Sequence, residues 1–521
     1  FFSELNGVHV STQLSSDAMK AGLAPLFLFL QPWLGATLPP IPGTDRMYGI
    51  MIDAGSGGSR AHLFQWKTRR FSTLPPPLSV PLTSVAWTEK VKPGLSAYWQ
   101  FPESVTTVLQ VLITWAKTQL PHVQKWWGYY PIYLKATAGL RELPNEARTG
   151  LIRVIRDWLR DNNTCPFHFE EAEAARTISG EEEAAYAWTA INYATGALMK
   201  YSWGSGTAAP KHAYGSMELG GASAQIAFYD PSQDVLANLF KVQVGQQRHW
   251  NIYAHSYLHY GYNSARRRIW GSLAEEAGCF RNPDNGTCII RDKCLPVGFV
   301  YPPSLVPASS DGNIGIPPKS KYSPTVEPLI RSRERPESEE TAWDECLAQM
   351  REPLGFVEES QGFCRYSHRG QCAFNGVYQP PMPDEDGPFG RFFLFGTYND
   401  VWGFLNLTKV STLAEVKRKG RKICAMSYKD LTKYNQQLGG DEASKRVPDL
   451  PEMCFLAVFT YAQLHHGYHI NTDRKMASQG KVEYQGVKLK IGWPLGAMLY
   501  EINTLPWEYV PPHTPDNALS S

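Results

Sequence analysis

Residues 47–66 read MYGIMIDAGSGGSRAHLFQW, and residues 214–229, which read YGSMELGGASAQIAFY, repeat the same plan. Each stretch holds a short apolar run that ends on an acid, then a turn rich in Gly and Ser, then a second apolar run. This pattern predicts two strands joined as a hairpin. The acids are Asp53 and Glu218, and the two copies lie too far apart in the chain for a solenoid repeat. They predict two similar lobes that face each other, each with one hairpin at the cleft between them.

The segments between the hairpins predict an α/β protein. Apolar residues recur at helical spacing over 102–119, and a second helix is predicted over 181–193. Residues 132–136 read as a strand between these helices. Strands that alternate with helices are typical of the α/β class.

The same features suggest domain boundaries. An N-terminal extension covers 1–46, and a first lobe covers 47–178, completed by the C-terminal segment 488–521. The second lobe covers 179–487 and contains a surface insertion at about 302–340, where prolines are mixed with Ser, Lys, Arg and Glu.

The composition of the 521 residues excludes several classes of protein. The chain has 51 Lys and Arg against 49 Asp and Glu, a formal net charge of +2. This balance gives no strong electrostatic case for nucleic acid or an anionic membrane as the main partner. An apolar fraction of 43% and a charged fraction of 19% argue against global disorder.

The nine cysteines contain no CxxC pair, and the chain has no HExxH, so the common zinc signatures are missing. Cys279, Cys288 and Cys294 are clustered, and Cys364 lies close to Cys372. Clustering beside Gly, Pro and Asn suggests disulfide-bonded surface loops in an oxidising compartment. The alternative is free thiols in a cytosolic protein. Because nine is odd, at least one thiol is unpaired or bonds another chain.

Other features of the sequence also favour a secreted or lumenal protein, extracellular or vacuolar. Sequons occur at Asn162, Asn285 and Asn406. The most apolar run, 24–38, is interrupted by Gln and Pro and is shorter than the roughly 20 residues that a transmembrane helix needs. The chain begins at Phe1 without a basic segment, so we expect that any signal peptide has been removed.

The two Gly-rich turns, at 53–60 and 218–225, have the chemistry of a phosphate site. Gly lets backbone N–H groups converge on an anion, and Ser56 and Ser59 add hydroxyl donors. An acid such as Asp53 is unfavourable beside phosphate unless a divalent cation lies between them. The pattern therefore suggests Mg²⁺ or Ca²⁺, bound partly through water.

The segment ATAGLR, 136–141, follows the predicted strand with small residues and then offers Thr137 and Arg141. Thr137 could hold a water of the metal, and Arg141 could meet phosphate or pair with an acid. The alternative is a plain helix start with a capping Thr.

The segment GEEEAAYAW, 180–188, places three carboxylates at the start of a helix. The helix dipole favours acids there, which is the simplest interpretation. The same acids, beside two phosphate loops, could also supply a general base that activates water.

Four motifs, DAGSGGSR (53–60), ATAGLR (136–141), GEEEAAYAW (180–188) and ELGGASAQ (218–225), occur in this order along the chain. They resemble the first four conserved regions of the apyrase, or ecto-nucleoside triphosphate diphosphohydrolase, family. Further matches lie at AHSYLHYGYNSAR (254–266), QCAFNGVYQPP (371–381), FLFGTYNDVWGFL (393–405) and WPLGAMLYEIN (493–503), so the resemblance covers about 47–505. It implies an actin/Hsp70-superfamily fold with two ribonuclease-H-like lobes and a central nucleotide cleft. The extra cysteines and the insertion suggest the secreted enzymes of parasitic protists.

The resemblance also implies a role for each matching residue. Glu183 matches the base that activates water, and Ser223 and Gln225 match the residues that position that water. The residues that match the metal site, acting through waters, are Asp53, Glu218, Thr137 and Trp493. Those that match phosphate-binding positions are Ser56, Gly57, Gly58, Ser59, Thr137, Gly221 and Ala222. For Trp493, plain packing at the junction of the lobes is an alternative.

The sequence departs from the family pattern at several positions. Glu218 stands where the family has Asp, Ala184 where it usually has Gly, and Ala224 where it has Thr. Tyr398 is the candidate to stack on the nucleobase, with a core role as the alternative.

The resemblance also bears on the cysteines. Cys424 and Cys454 match a family disulfide. For the variable cluster, the simplest short-range bond is Cys279–Cys288, which we expect to be sensitive to reduction.

The function expected from these features is hydrolysis of the terminal phosphates of extracellular nucleoside tri- and diphosphates. The attack of water would be in line and assisted by a metal, with Glu183 as base. The alternatives are a catalytically inactive nucleotide-binding protein and an ATP-dependent kinase of the same fold. A homo-oligomer is left open.

Overall fold

The fold is described from a computed structural model. The residues that it describes are 45–74, 76–198, 212–232, 234–244, 248–277, 287–301, 327–356, 371–438, 450–484 and 487–510. Within these ranges, no helix is both long enough and apolar enough to cross a membrane.

The first predicted hairpin forms the centre of a five-stranded sheet. Strands β1 (Arg46–Gly55) and β2 (Gly58–Lys67) pair antiparallel, and the sheet order is β4-β2-β1-β5-β6. Strands β5 (Ile132–Ala136) and β6 (Ala175–Thr177) run parallel to β1, whereas β4 (Thr88–Val91) runs antiparallel to β2. Strand β1 is buried along most of its length, as its continuous apolar run predicts.

The second predicted hairpin has the same place in a seven-stranded sheet. Strands β7 (Gly215–Leu219) and β8 (Ser223–Phe228) pair antiparallel. The sheet order is β14-β15-β13-β7-β8-β10-β9, with β13 (Phe392–Gly396) parallel to β7 and β10 (Arg248–Leu258) antiparallel to β8. Apart from its two edge strands, this sheet repeats the order and strand directions of the first. The α/β fold with two ribonuclease-H-like lobes is confirmed.

The other strands lie at sheet edges or form small two-stranded sheets: β3 (Arg70–Phe71), β9 (Leu239–Val244), β11 (Thr287–Asp292), β12 (Glu327–Ser332), β14 (Val410–Thr412), β15 (Lys475–Ser478), β16 (Lys481–Tyr484), β17 (Val487–Lys490) and β18 (Glu508–Tyr509).

The helices are α1 (Val105–Gln119), α2 (Ala138–Arg141), α3 (Asn145–Arg160), α4 (Glu171–Ala174), α5 (Gly180–Ala194), α6 (Tyr262–Glu276), α7 (Glu339–Arg351), α8 (Thr397–Phe404), α9 (Leu413–Ala425), α10 (Tyr428–Gln437), α11 (Met453–Ala462) and α12 (Trp493–Thr504). The predictions of α1, α5 and β5 are confirmed within a few residues.

Two large apolar clusters form the core. One contains the first sheet with α1, α3, α5 and α12, and Ile52, Leu112 and Trp188 are fully buried or nearly so there. The other contains much of the second sheet with α8 and α11, including Ile226 and Phe459. The first cluster also includes residues of the second sheet, among them Ile252 and Phe395, so one face of that sheet packs in the first core and the other face in the second.

The lobe boundaries stay predictions, and two observations agree with them. The first sheet lies within the first predicted lobe, and the seven-stranded sheet lies within the second. Strand β18, near the C-terminus, pairs with β3 of the first lobe. The predicted extension at 1–46 lies almost entirely outside the described residues.

The surface insertion predicted at about 302–340 is wrong for its last part. Residues 327–332 form β12, which pairs parallel with β11, and Ile330 is fully buried. Arg333 is also buried and donates to the backbone oxygen of Ala342. Prolines and charges on this segment suggested a loop, but partners distant in sequence hold it in the core. Residues 302–326 lie outside the described residues.

The predicted disulfide between Cys424 and Cys454 is confirmed. A second bond joins Cys294 to Cys346, and Cys372 is also disulfide-bonded. The predicted pair Cys279–Cys288 involves side chains outside the described part of the chain, so it stays a prediction.

Candidate active site

A cavity of about 540 Å³ lies between the two central hairpins. Its walls come from both Gly-rich turns, the starts of α2, α5 and α8, and the segment that leads into α12. The predicted site residues that line it are Asp53, Ser56, Gly57, Thr137, Glu183, Glu218, Gly221, Ala222, Ser223 and Trp493.

The two turns approach each other closely. A Cβ on Gly221, in the second turn, would lie 2.5 Å from Ser56 Oγ in the first. A Cβ on Gly139, in the ATAGLR segment, would lie 2.9 Å from Ser56 Cα. Because a side chain at either position would crowd Ser56, glycine lets three segments converge on one point. The prediction that the hairpins face each other is confirmed.

The three acids at the start of α5 point to three different partners. Glu181 Oε1 lies 3.4 Å from His255 Nδ1, and Glu182 accepts from Arg176 Nη1 at 2.8 Å. Of the three, Glu183 alone lines the cavity, and it is 6% exposed. The helix start therefore does more than complement its dipole, because it carries one carboxylate into the cavity.

Glu183 is held by groups from both lobes. Arg141 Nη2 donates to Glu183 Oε2 at 2.8 Å and to Ser223 Oγ at 3.3 Å. Gln225 Nε2 donates to Ser223 Oγ at 2.5 Å and lies 3.3 Å from Glu183 Oε2. Burial raises the pKa of Glu183 above its usual value, although the charge of Arg141 opposes that effect. A carboxylate with a raised pKa is a stronger base than a free one.

Asp53 and Glu218 occupy matching positions at the ends of β1 and β7. Asp53 is 8% exposed and accepts from Arg60 Nη1 at 3.3 Å. Glu218 Oε2 is buried, and it has no hydrogen-bond partner in the part of the chain that the structure describes. Burial raises the pKa of both acids, and the charges of Glu183 and Asp53 raise that of Glu218 further.

This group of acids fits a divalent cation held largely through water. Crowded buried carboxylates repel one another, and an unpartnered carboxylate oxygen is available to a cation or its water. Among the described residues, no group of three or more His, Cys, Asp or Glu side chains is placed to bind a metal directly. Mg²⁺ usually keeps several of its waters in such sites, so few direct protein ligands are needed.

Thr137 and Trp493 border the same space. Thr137 precedes α2, but its side chain makes no capping hydrogen bond, so the alternative of a capping Thr is wrong. Thr137 lines the cavity. Trp493 begins α12, is nearly buried, and combines cavity lining with packing in the first core.

Several predicted residues do not line the cavity. Gly58 has a φ of +138°, and a Cβ there would lie 2.8 Å from the backbone oxygen of Val91, so it shapes the turn. Ser59 is fully buried in β2. Gln225 lies behind Ser223 and also donates to Ser256 Oγ at 3.0 Å.

The prediction that Tyr398 stacks on a base is wrong. Its side chain is 0% exposed within the second core, and its hydroxyl donates to Gln463 Oε1. The reason is its position in α8, which turns this ring toward α11 rather than toward the cavity.

Other residues that line the cavity were not predicted from the sequence. Arg60 lies directly across the hairpin from Asp53, a pairing that the symmetry of the DAGSGGSR turn could have indicated. Tyr262, Lys90 and Lys490 also line it. They come from α6, β4 and β17, and no local motif indicates that these elements meet.

Comparisons with known proteins agree with this arrangement. The chain is 28% identical over 513 residues to ectonucleoside triphosphate diphosphohydrolase 8 of Bos taurus, covering 96% of this chain and 90% of the relative. It is 27% identical to the Golgi apyrase of Saccharomyces cerevisiae, covering 88% and 71%.

The fold resembles that of a crystal structure of nucleoside triphosphate hydrolases from Neospora caninum, with a TM-score of 0.58, 16% identity, and coverage of 88% of this chain and 92% of that one. Residues 41–514 match the GDA1/CD39 (nucleoside phosphatase) family. The chain belongs to the GDA1/CD39 nucleoside phosphatase family.

Proposed function

We propose that this protein hydrolyses the terminal phosphates of nucleoside tri- and diphosphates, as an apyrase does. One observation carries the proposal: the carboxylate of Glu183 meets Ser223 and Gln225 beside two facing Gly-rich turns. The turns suit the binding of a phosphate chain. Glu183, with Ser223 and Gln225 beside it, suits the activation of a water molecule that attacks the terminal phosphate of that chain.

The proposed reaction needs no covalent intermediate. The terminal phosphoryl group lies at the turns, and Ser223 Oγ orients a water in line with the bond that breaks. Glu183 takes a proton from this water as its oxygen bonds to phosphorus and the bridging oxygen leaves with the rest of the nucleotide. Gln225 is a positioning residue, because its amide donates to both Glu183 and Ser223.

We propose that Asp53 and Glu218 hold the waters of a divalent cation, Mg²⁺ or Ca²⁺, with Thr137 and Trp493 at the edge of its shell. When bound, such a cation neutralises charge on the phosphate oxygens. Glu218 supports this assignment, because its buried Oε2 has no other partner among the residues described.

Three observations support a secreted or lumenal location. The bonds Cys294–Cys346 and Cys424–Cys454 are typical of an oxidising compartment. The sequon residues Asn162 and Asn406 are exposed, which suits glycosylation, while Asn285 lies outside the described ranges. One relative is named an ecto-enzyme and another a Golgi enzyme.

The kinase and the inactive-protein alternatives are weaker. A kinase must keep water away from the phosphate, whereas here the carboxylate of Glu183 lines the cavity together with Ser223 and suits the activation of water. An inactive protein has no need for a buried carboxylate that Arg141 and Gln225 hold in place and whose pKa is raised by burial.

The substitution Glu183→Gln tests the proposal. It removes the base and keeps the shape, so phosphate release from ATP, ADP, UTP and UDP should fall by about 10²–10⁴-fold. Nucleotide binding, measured by calorimetry with Mg²⁺ or Ca²⁺, should persist.

Glu181→Gln is the matched control, since Glu181 lies in the same helical turn but outside the cavity lining. It should keep turnover within about twofold, as expected for a partly exposed contact with His255. Full turnover in the Glu183→Gln variant would show that another group is the base.

A further inference from the structure

One side of the cavity is lined almost entirely by hydrogen-bond donors. Its members are Arg60, His62, Lys90, Lys92 and Lys490, which we call the basic wall. Arg60 and His62 are two residues apart in β2 and so lie on the same face of that strand, and Lys90 lies directly opposite Arg60 in β4. Lys490 ends β17. Elements far apart in sequence therefore bring four cations and an imidazole to one surface.

The cations of the basic wall are poorly compensated. In the described ranges, Lys90, Lys92 and Lys490 make no ion pair, and Arg60 is paired with Asp53. Burial and the charges of Arg60, Lys92 and Lys490 lower the pKa of Lys90 to about 8, although Asp400 opposes this. Like charges that face one cavity without partners repel each other, and a bound anion would relieve that repulsion.

His62 adds a donor of a different kind. It is 8% exposed, its Nδ1 lies 3.3 Å from Thr88 Oγ1, and its Nε2 is buried without a hydrogen-bond partner among the described residues. Burial lowers its pKa well below the usual value, so the ring is neutral. When Nδ1 accepts the Thr88 hydroxyl proton, Nε2 carries a proton for which the described residues offer no acceptor.

These groups specify the chemistry of a ligand. Four cations and an imidazole N–H suit an anion with several oxygens, and they exclude a metal ion, which needs acceptors. Most of the basic wall lies outside the Gly-rich turns: Arg60 ends the first turn, whereas the other members lie in or next to β2, β4 and β17. Asp53 connects the two regions, since it accepts from Arg60 and its charge also acts on Glu183.

We propose that the basic wall is a second phosphate-binding subsite of the cavity. It holds either a phosphate of the nucleotide chain that is not under attack, or free inorganic phosphate after release. Both of these sources of phosphate presuppose the proposed hydrolase function. The proposal that the basic wall binds a phosphate oxyanion does not depend on that function.

The test uses the full chain and inorganic phosphate as probe. Phosphate binding is measured by calorimetry for the wild type and for a variant with Lys90→Met and Lys490→Met, which removes two charges and keeps side-chain length. Each lysine should contribute about tenfold, so the affinity should fall by about a hundredfold. Lys67→Met, at the exposed far end of β2, is the matched control and should bind phosphate as the wild type does.

Kinetics then identify the source of the phosphate. A KM for ATP that rises by more than kcat falls, with a smaller change for ADP, supports a phosphate of the substrate chain. A weaker product inhibition by phosphate with an unchanged KM for ATP supports free phosphate.

Lys90→Glu gives a second variant, whose reversed charge should abolish phosphate binding. Thermal unfolding checks that each variant is folded. Wild-type phosphate affinity in both folded variants would overturn the proposal. Phosphate binding by a wild type that hydrolyses no nucleotide would instead contradict only the proposed function.

Discussion

The two hairpins share a backbone plan but differ in what lies opposite the acid. In the first, Asp53 pairs across the strands with Arg60, and in the second, Glu218 pairs with Gln225. The positions are equivalent in register, since each acid stands just before its turn. One hairpin therefore places a cation opposite its acid, and the other places a neutral amide there.

This difference divides the cavity. On the first hairpin, Arg60 offsets Asp53 and leads to the basic wall. On the second, Gln225 reaches past Glu218 to Glu183 and Ser223, and Glu218 is left beside other carboxylates. A duplicated motif can thus supply anion binding from one copy and water activation from the other.

The largest expected effects come from neutralising each acid in turn. Glu218→Gln and Asp53→Asn should each lower activity at limiting cation by about tenfold to a hundredfold, because each removes a carboxylate that we assign to the cation's water shell. Their effects on stability should differ in size when EDTA is present. Glu218→Gln relieves repulsion and should raise the midpoint of thermal unfolding by about 1–2 °C, whereas Asp53→Asn also removes the ion pair with Arg60 and should change the midpoint by less.

Calorimetric unfolding scans of both variants, beside Glu181→Gln, measure this asymmetry. If Asp53→Asn stabilises the metal-free protein as Glu218→Gln does, the two acids are in equivalent environments and the comparison fails.

The sequence was sufficient to predict both hairpins, because alternation, acids and Gly-rich turns are local signals. It was also sufficient to select Glu183 for the cavity, through the family resemblance. It could not predict the basic wall, since the lysines of β4 and β17 meet Arg60 through tertiary packing.

Tyr398 shows the same limit. An aromatic residue near a conserved motif suggests stacking, but whether its ring faces a cavity or a core depends on the rotation of α8. The composition of residues 327–332 predicts a loop, although pairing with β11 makes them a strand. Composition records what a segment exposes on average, and a distant partner can override it.

A smaller effect should separate the serines of the two turns. Ser223→Ala removes a hydroxyl that accepts from Gln225 and Arg141, so kcat should fall by about tenfold to a hundredfold with little change in KM. Ser56→Ala, in the first turn, should mainly raise the KM for ATP, by a few-fold, because we assign this hydroxyl to binding. Steady-state kinetics of both variants check the split. Equal losses of kcat would mean that the turns do not divide these roles.

The smallest effect should come from Arg60→Gln, which gives the first hairpin the same amide partner that the second one has. Asp53 would lose the cation that competes with a metal ion, so the apparent dissociation constant for Mg²⁺ should decrease by about two- to fivefold. Phosphate affinity should fall in the same variant, because the basic wall loses one charge. A titration of activity with Mg²⁺, run beside Lys67→Met, measures the first change, and calorimetry measures the second. Tighter cation binding together with weaker phosphate binding would show that Arg60 is the residue by which the two hairpins came to differ. Weaker binding of both would mean that Arg60 mainly positions Asp53, and that the charge difference between the hairpins is secondary to geometry.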